Sequence, residues 1–236
     1  MSILNCFDFD SSLKSVSDIY NLGCNEIIQF LNRKHSDIWC PGNGVGFYEY
    51  LLLEFDKNYP IKNAVDKVYW YHLTRIFDES PFREKGILPL NLALQEIYKF
   101  VKSSNHLAIE FSDWIGSISN QTLKSRLKDN NYGSFAMLVR ETAFISGEMR
   151  NHNYLKAPES IEDLELHGLY TQKAKPAIIQ FCAPPDRENS RLIKSVLAYL
   201  YDKVHGNELS TDDNTTFDAK GNTIKPCDIL NIEYIE

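Results

Sequence analysis

The chain has 236 residues, of which 43% are hydrophobic and 24% charged. A chain of this length buries a sizeable core without metal or disulfide staples, which excludes the classes of small stapled domains and of chains too polar to fold. The formal net charge of −7 argues against a protein whose main task is tight, non-specific binding to duplex nucleic acid, although a small basic groove stays open.

The first part of the chain predicts helices. Apolar residues recur at helical spacing between residues 11 and 56, and Asn25 is a candidate cap for the second helix. Tyr59-Pro60 ends this pattern. We therefore expect an N-terminal helical subdomain over 1–62 and an α+β domain over 63–236.

The segment Val68–Phe77 predicts a strand because it is rich in aromatic and β-branched residues. Alternation places His72 and Thr74 on one face and Arg75 on the other, where a structural role is expected. A short helix is predicted next, opening at Ser80-Pro81 and stopping at Gly86.

Later segments predict further strands and one long helix. Strands are expected at Phe135–Arg140, Pro176–Cys182 and Ile229–Ile235, and Thr216–Ile224 is typical of a hairpin. The clearest helix follows Asp186, its predicted cap, and ends at Gly206. Because helices and strands do not alternate regularly, we expect an α+β fold with a split, mixed or antiparallel sheet flanked by helices.

Several signatures of chemistry are missing from the sequence. It has no Walker phosphate loop, GxGxxG, HExxH or GxSxG motif, and its six histidines lack the spacing of metal ligands, so no metal site is predicted. The five cysteines lack CxxC spacing and suit reduced thiols. With no apolar run that would span a membrane and no signal-peptide pattern at the start, we expect a cytoplasmic protein with no membrane partner.

The first candidate site is Tyr71-His72-Leu73-Thr74-Arg75, followed by Gly86-Ile87-Leu88-Pro89-Leu90. A histidine in a strand presents a ring nitrogen to a ligand, and Thr74 adds a hydroxyl on the same face. The alternative is a half-buried sheet histidine bonded to the backbone. The aromatic run Tyr69-Trp70-Tyr71 stacks on a nucleotide or simply packs in the sheet.

This strand, short helix and glycine resemble the opening of the ADP-ribosyltransferase superfamily, in particular its His-bearing class and its bacterial toxin or phage-defence relatives. The resemblance covers about twenty residues. It implies that NAD is bound, that His72 holds its ribose, and that Gly86 lies near the nicotinamide side. Thr74 and Tyr71 are the accompanying cofactor-binding candidates.

The resemblance also implies an aromatic residue that supports nicotinamide and a glutamate that stabilises positive charge on the ribose. Our preferred pair is Tyr154 and Glu159. Pro158-Glu159 departs from the family pattern, because it is typical of a helix start, where an acidic residue simply complements the helix dipole. The alternative carboxylates are Glu162, Glu141 and Glu233.

The resemblance implies transfer of ADP-ribose to a macromolecular acceptor, which can be protein, RNA or DNA. Two other hypotheses stay open. One is a non-enzymatic subunit that binds a partner protein, such as an antitoxin, in a toxin–antitoxin or phage-defence complex. The other is a ribonuclease-type toxin that uses His72 with a second base.

Overall fold

The structure is a computed structural model, and it describes the residues 2–38, 44–93, 95–96, 133–145, 155, 172, 174–186 and 188–235. Its elements, in chain order, are β1 (Ser2–Leu4), α1 (Phe9–Tyr20), α2 (Cys24–Leu31), α3 (His35–Ile38), α4 (Phe47–Asn58), β2 (Val65–Ile76), α5 (Ser80–Lys85), β3 (Phe135–Met137), β4 (Lys175–Ala183), α6 (Asn189–His205), β5 (Thr216–Asp218) and β6 (Ile229–Tyr234). Short 3-10 helices occupy Arg140–Phe144, Thr211–Asp213 and Pro226–Asp228.

The predicted α+β class is confirmed. Within the described residues, six strands form one sheet in the order β5-β3-β2-β4-β6, with β1 beside β2. The sheet is mixed, because β1 runs parallel to β2 while β3 is antiparallel to β2 and β6 is antiparallel to β4. Strand β1 was not predicted, since three residues are too few to show an alternating pattern.

Contacts divide the chain into two compact units, each built from three segments. The first comprises Met1–Tyr71, Met137–His152 and Cys182–Phe217, and the second comprises His72–Ala136, Asn153–Phe181 and Asp218–Glu236. The first unit contains the whole of the predicted helical subdomain, and the predicted boundary at residue 62 stays a prediction.

Helix starts in the first unit follow local chemistry. The Asp8 carboxylate accepts a hydrogen bond from the Ser11 amide at 2.8 Å and opens α1. Helix α2 begins two residues earlier than the Asn25 cap would place it, because Gly23 has extended backbone angles and its amide donates to Glu26 at 2.8 Å.

Helix α6 supplies much of the core of the first unit and packs against α4, α1 and α2. Its apolar positions from Leu192 to Tyr201 are buried, and Gly206 ends it with a positive φ of 67°, as predicted. The predicted cap was wrong: Glu188, not Asp186, precedes the first turn. Buried rings extend this core. Phe55 makes edge-to-face contacts with Tyr20 and Phe30, with 4.8 Å and 5.0 Å between ring centroids.

The second unit contains β6 and the part of β4 that pairs with it, where Ile178 lies opposite Glu233. The predicted hairpin at Thr216–Ile224 was wrong. Its turn exists, with positive φ at Lys220 and Gly221, but Ile224 pairs with Ile87 instead of folding back on β5.

Candidate functional site

The predicted strand around His72 is confirmed as β2, Val65–Ile76. Aromatic and β-branched side chains favour this extended conformation, and the strand is buried along much of its length. His72 lies in its second half and is half-buried. The strand therefore gives His72 a fixed backbone position.

One main-chain contact fixes the protonation pattern of His72. The ring Nδ1 lies 2.7 Å from the carbonyl oxygen of Phe135 on β3. A carbonyl oxygen only accepts hydrogen bonds, so Nδ1 carries the proton and Nε2 of the neutral ring is a hydrogen-bond acceptor. Burial lowers the pKa of His72 below its ordinary value, although the Phe135 carbonyl opposes that shift.

The Phe135 carbonyl belongs to a segment that is itself held in place. The Ser134 hydroxyl donates to the Leu88 carbonyl at 2.9 Å, and the Ala219 amide donates to the Ser134 carbonyl at 3.1 Å. A side chain on Gly133 would place its Cβ 2.0 Å from Oδ1 of Asp218. Sequence reasoning missed this support, because main-chain acceptors leave no residue-type signal.

Gly86 ends α5, as predicted, and its backbone position is one that only glycine fits. Its φ is +82°, and a Cβ there would lie 1.9 Å from the carbonyl oxygen of Ile224. The next residue, Ile87, exchanges two hydrogen bonds with Ile224, each 3.0 Å long. What the structure shows for Gly86 is a close approach between two backbone segments.

Thr74 and Arg75 lie on the same strand but have different surroundings. Thr74 is half-buried and, two residues from His72, shares its face by strand alternation. Arg75 donates from Nε to the Ala174 carbonyl at 3.0 Å and from Nη1 to the Leu155 carbonyl at 2.7 Å. Arg75 therefore ties chain segments together, which confirms its predicted structural role.

Tyr71 requires a correction. Its side chain is 1% exposed, and its hydroxyl donates to Oδ1 of Asn5 at 2.7 Å. Trp70 is fully buried beside Phe217, with 5.3 Å between ring centroids. Two of the three aromatic residues at 69–71 thus belong to the core, and Tyr71 has no exposed ring face for a cofactor.

The preferred catalytic pair, Tyr154 and Glu159, and the alternative Glu162 lie outside the described residues. Glu141 belongs to the 3-10 helix Arg140–Phe144, and its Oε2 lies 2.7 Å from Nζ of Lys203. That ion pair engages Glu141 within the first unit.

Glu233 lies on β6, in the same unit as His72. Only β4 separates β6 from β2 in the sheet, so the two backbones are about 10 Å apart, or two inter-strand spacings. Of the two alternative carboxylates that the structure describes, Glu233 is therefore the one that lies on a strand of the same sheet, two positions from β2.

Comparisons with known proteins found no matching family model, no matching curated protein and no matching solved structure. Within the described residues, no three His, Cys, Asp or Glu side chains are grouped so that they could hold a metal ion. Among those same residues, no helix is both long and apolar enough to cross a membrane.

Proposed function

We propose that this protein is a cytoplasmic NAD-dependent ADP-ribosyltransferase of the toxin or phage-defence type. One observation carries the proposal: His72 is held as a neutral ring with Nε2 as an acceptor, on a strand that is followed by α5 and Gly86. A ribose hydroxyl is a hydrogen-bond donor, and a fixed neutral imidazole is a matching acceptor.

His72 and Thr74 have complementary roles in this proposal. Nε2 of His72 accepts from a hydroxyl of the NAD ribose, and the Thr74 hydroxyl, on the same face, binds a neighbouring oxygen. Because burial disfavours the charged form of His72, the acceptor stays available at neutral pH. Gly86 keeps the turn after α5 close to the Ile224 backbone.

The reaction breaks the bond between nicotinamide and ribose C1′. Nicotinamide leaves with the bonding electrons, an acceptor nucleophile attacks C1′ and loses its proton, and positive charge on the ribose is greatest between these events. A carboxylate stabilises that charge. We assign this role to Glu159 with Tyr154 supporting nicotinamide, and we hold Glu233 as the alternative within the described sheet.

Labelled NAD incubated with cell extract tests the proposal. Wild-type protein should transfer label to a macromolecule, and His72→Ala should abolish transfer. The matched control is His205→Ala, because His205 bonds the Leu31 carbonyl in the other unit and should leave transfer unchanged.

Comparing Glu159→Gln with Glu233→Gln identifies the carboxylate, which is the variant that loses transfer while still binding NAD. Transfer that survives His72→Ala contradicts the proposal. RNA cleaved in the absence of NAD would instead select a ribonuclease. Treating the labelled product with protease, RNase or DNase identifies whether the acceptor is protein, RNA or DNA.

A further inference from the structure

Two carboxyl groups are buried together at the end of α6. Asp202, in the last turn of the helix, is 2% exposed, and Asp213, in the 3-10 turn Thr211–Asp213, is fully buried. The turn packs directly against α6. Burying two like charges side by side is strongly unfavourable, so the pair requires an explanation.

The hydrogen bonds around the pair show which oxygens have donors. Oδ2 of Asp202 accepts from the Tyr48 hydroxyl at 2.6 Å, and Oδ1 accepts from the Asn207 side chain at 2.8 Å. Oδ2 of Asp213 accepts a short bond from the Ser210 amide. Oδ1 of Asp213 is buried and has no N–H or O–H donor among the described residues.

The carboxyl groups of Asp213 and Asp202 lie close enough for Asp202 to act on the pKa of Asp213. Two ionised carboxylates are both acceptors only, so a hydrogen bond between them needs a proton on one of them. Burial, and after it the negative charge of Asp202, raise the pKa of Asp213 to about 7, against the opposing Ser210 amide.

The groups facing the pair are phenols. Tyr48 approaches from α4 and Tyr201 lies on α6, and the pKa values of both phenols are raised, first by burial and then by Asp202. Asp212 of the same turn is exposed and is not among the groups that shift the pKa of Asp213. The buried pair accordingly has no cation among these neighbours.

The basic residues of the last turn of α6 are engaged elsewhere. Lys203 pairs with Glu141 at 2.7 Å, and Nε2 of His205 donates to the Leu31 carbonyl at 2.9 Å. Because none of these neighbours supplies a positive charge to the pair, a bound proton is what allows the two acids to be buried together.

We propose that Asp202 and Asp213 share one proton and thereby form a pH-sensitive contact that holds the 3-10 turn Thr211–Asp213 on α6. Below neutral pH the shared proton joins the two side chains. Above it, two buried negative charges repel each other, and the turn separates from the helix more readily. The device is independent of the proposed transferase site.

The sign of the effect on stability follows from linkage. The pKa of Asp213 is raised in the folded protein, from 3.8 to about 7, so the folded state holds a proton that the unfolded chain has released. This contribution to stability is complete below pH 3.8 and is lost as the pH rises to about 7. Above that pH the contribution no longer changes.

Asp213→Asn supplies the test, because its amide donates to Asp202 at every pH. The Tm of the variant minus that of the wild type should increase by roughly 3–5 °C per pH unit between pH 4.5 and 7 and then level off. Asp212→Asn, an exposed neighbour in the same turn, is the control and should follow the wild type. Parallel Tm profiles for Asp213→Asn and wild type would overturn the proposal.

A second measurement covers the case in which Asp213→Asn fails to fold. Carbon NMR of the wild-type carboxyl groups should show one aspartate that titrates near neutral pH, and amide exchange across Thr211–Asp213 should accelerate over the same range. An Asp213 carboxyl that titrates near pH 4, or amide exchange that does not change with its titration, would overturn the proposal.

Discussion

His72 and Asp213 lie in different units, and burial acts on both through the same physical cause with opposite results. Burial lowers the pKa of His72, which is ordinarily neutral above pH 6.5. Burial raises the pKa of Asp213, which is ordinarily ionised at neutral pH. A single carbonyl is enough to accommodate the neutral imidazole. Asp213 lies instead beside a second buried acid, Asp202, which after burial raises its pKa further.

The same contrast holds for the glycines that end α5 and α6. Gly86 and Gly206 both have positive φ, at 82° and 67°, but only Gly86 lies against another backbone segment. The region around His72 thus depends on close backbone approach. The end of α6 depends on side-chain hydrogen bonds.

The largest expected effect is that of Gly86→Ala. The new Cβ would meet the Ile224 carbonyl at 1.9 Å in a backbone conformation that L-residues avoid, so we expect a loss of about 3 kcal/mol in the free energy of unfolding. Gly206→Ala, which has positive φ but nothing within 4 Å, should cost about 1 kcal/mol. Equal losses in denaturant unfolding would contradict a special role for the Ile224 contact.

Tyr48→Phe should have the next largest effect. It removes the hydroxyl that donates to buried Asp202 and leaves an acceptor without that donor, which we expect to cost about 2 kcal/mol. Tyr50→Phe on the same helix is the matched control, with an expected change below about 0.5 kcal/mol. Chemical denaturation measures both, and a loss common to the two variants would point to helix packing instead.

Arg75→Lys should destabilise the protein by about 1 kcal/mol. A lysine amine cannot span the Ala174 and Leu155 carbonyls that the guanidinium joins, so at least one hydrogen bond is lost. Arg83→Lys changes only a partly exposed pair with Glu79 and should be neutral in the same unfolding experiment. If the two substitutions have the same effect, Arg75 is not a structural tie.

The smallest effect is the pH dependence contributed by His72. Because the pKa of His72 is lowered in the folded protein, the unfolded chain takes up a proton before the folded protein does as the pH falls below 6.5. Protonation therefore favours the unfolded chain, and the free energy of unfolding decreases over that range. The slope is opposite in sign to that of Asp213. Nitrogen NMR at pH 7 should show Nδ1 protonated and Nε2 unprotonated, whereas the reverse tautomer would contradict the contact with Phe135.

Patterns in the sequence predicted most elements whose signal is local. The aromatic and β-branched run gave β2, and the apolar stripe ending at Gly206 gave α6, with boundaries shifted by a few residues. The failures are non-local. The pairing of Ile224 with Ile87 depends on segments more than a hundred residues apart, and no turn pattern specifies the partner.

The candidate site was predictable to a similar extent. Alternation correctly separated His72 from Arg75, but it could not show that Tyr71 lies in the core, because β2 is buried on both faces there. The Phe135 carbonyl and the Asp202–Asp213 pair were missed for the same reason. Their chemistry comes from burial and from neighbours distant in sequence, not from a motif.

Binding of NAD to the purified protein tests the central claim most directly. Isothermal calorimetry should show saturable binding at one site, lost in His72→Ala and retained in His205→Ala, with both variants folded by circular dichroism. Thr74→Val should weaken binding, because it removes the second hydroxyl contact without a large change in volume. No binding of NAD to the wild type, or equal binding to wild type and His72→Ala, would contradict the account.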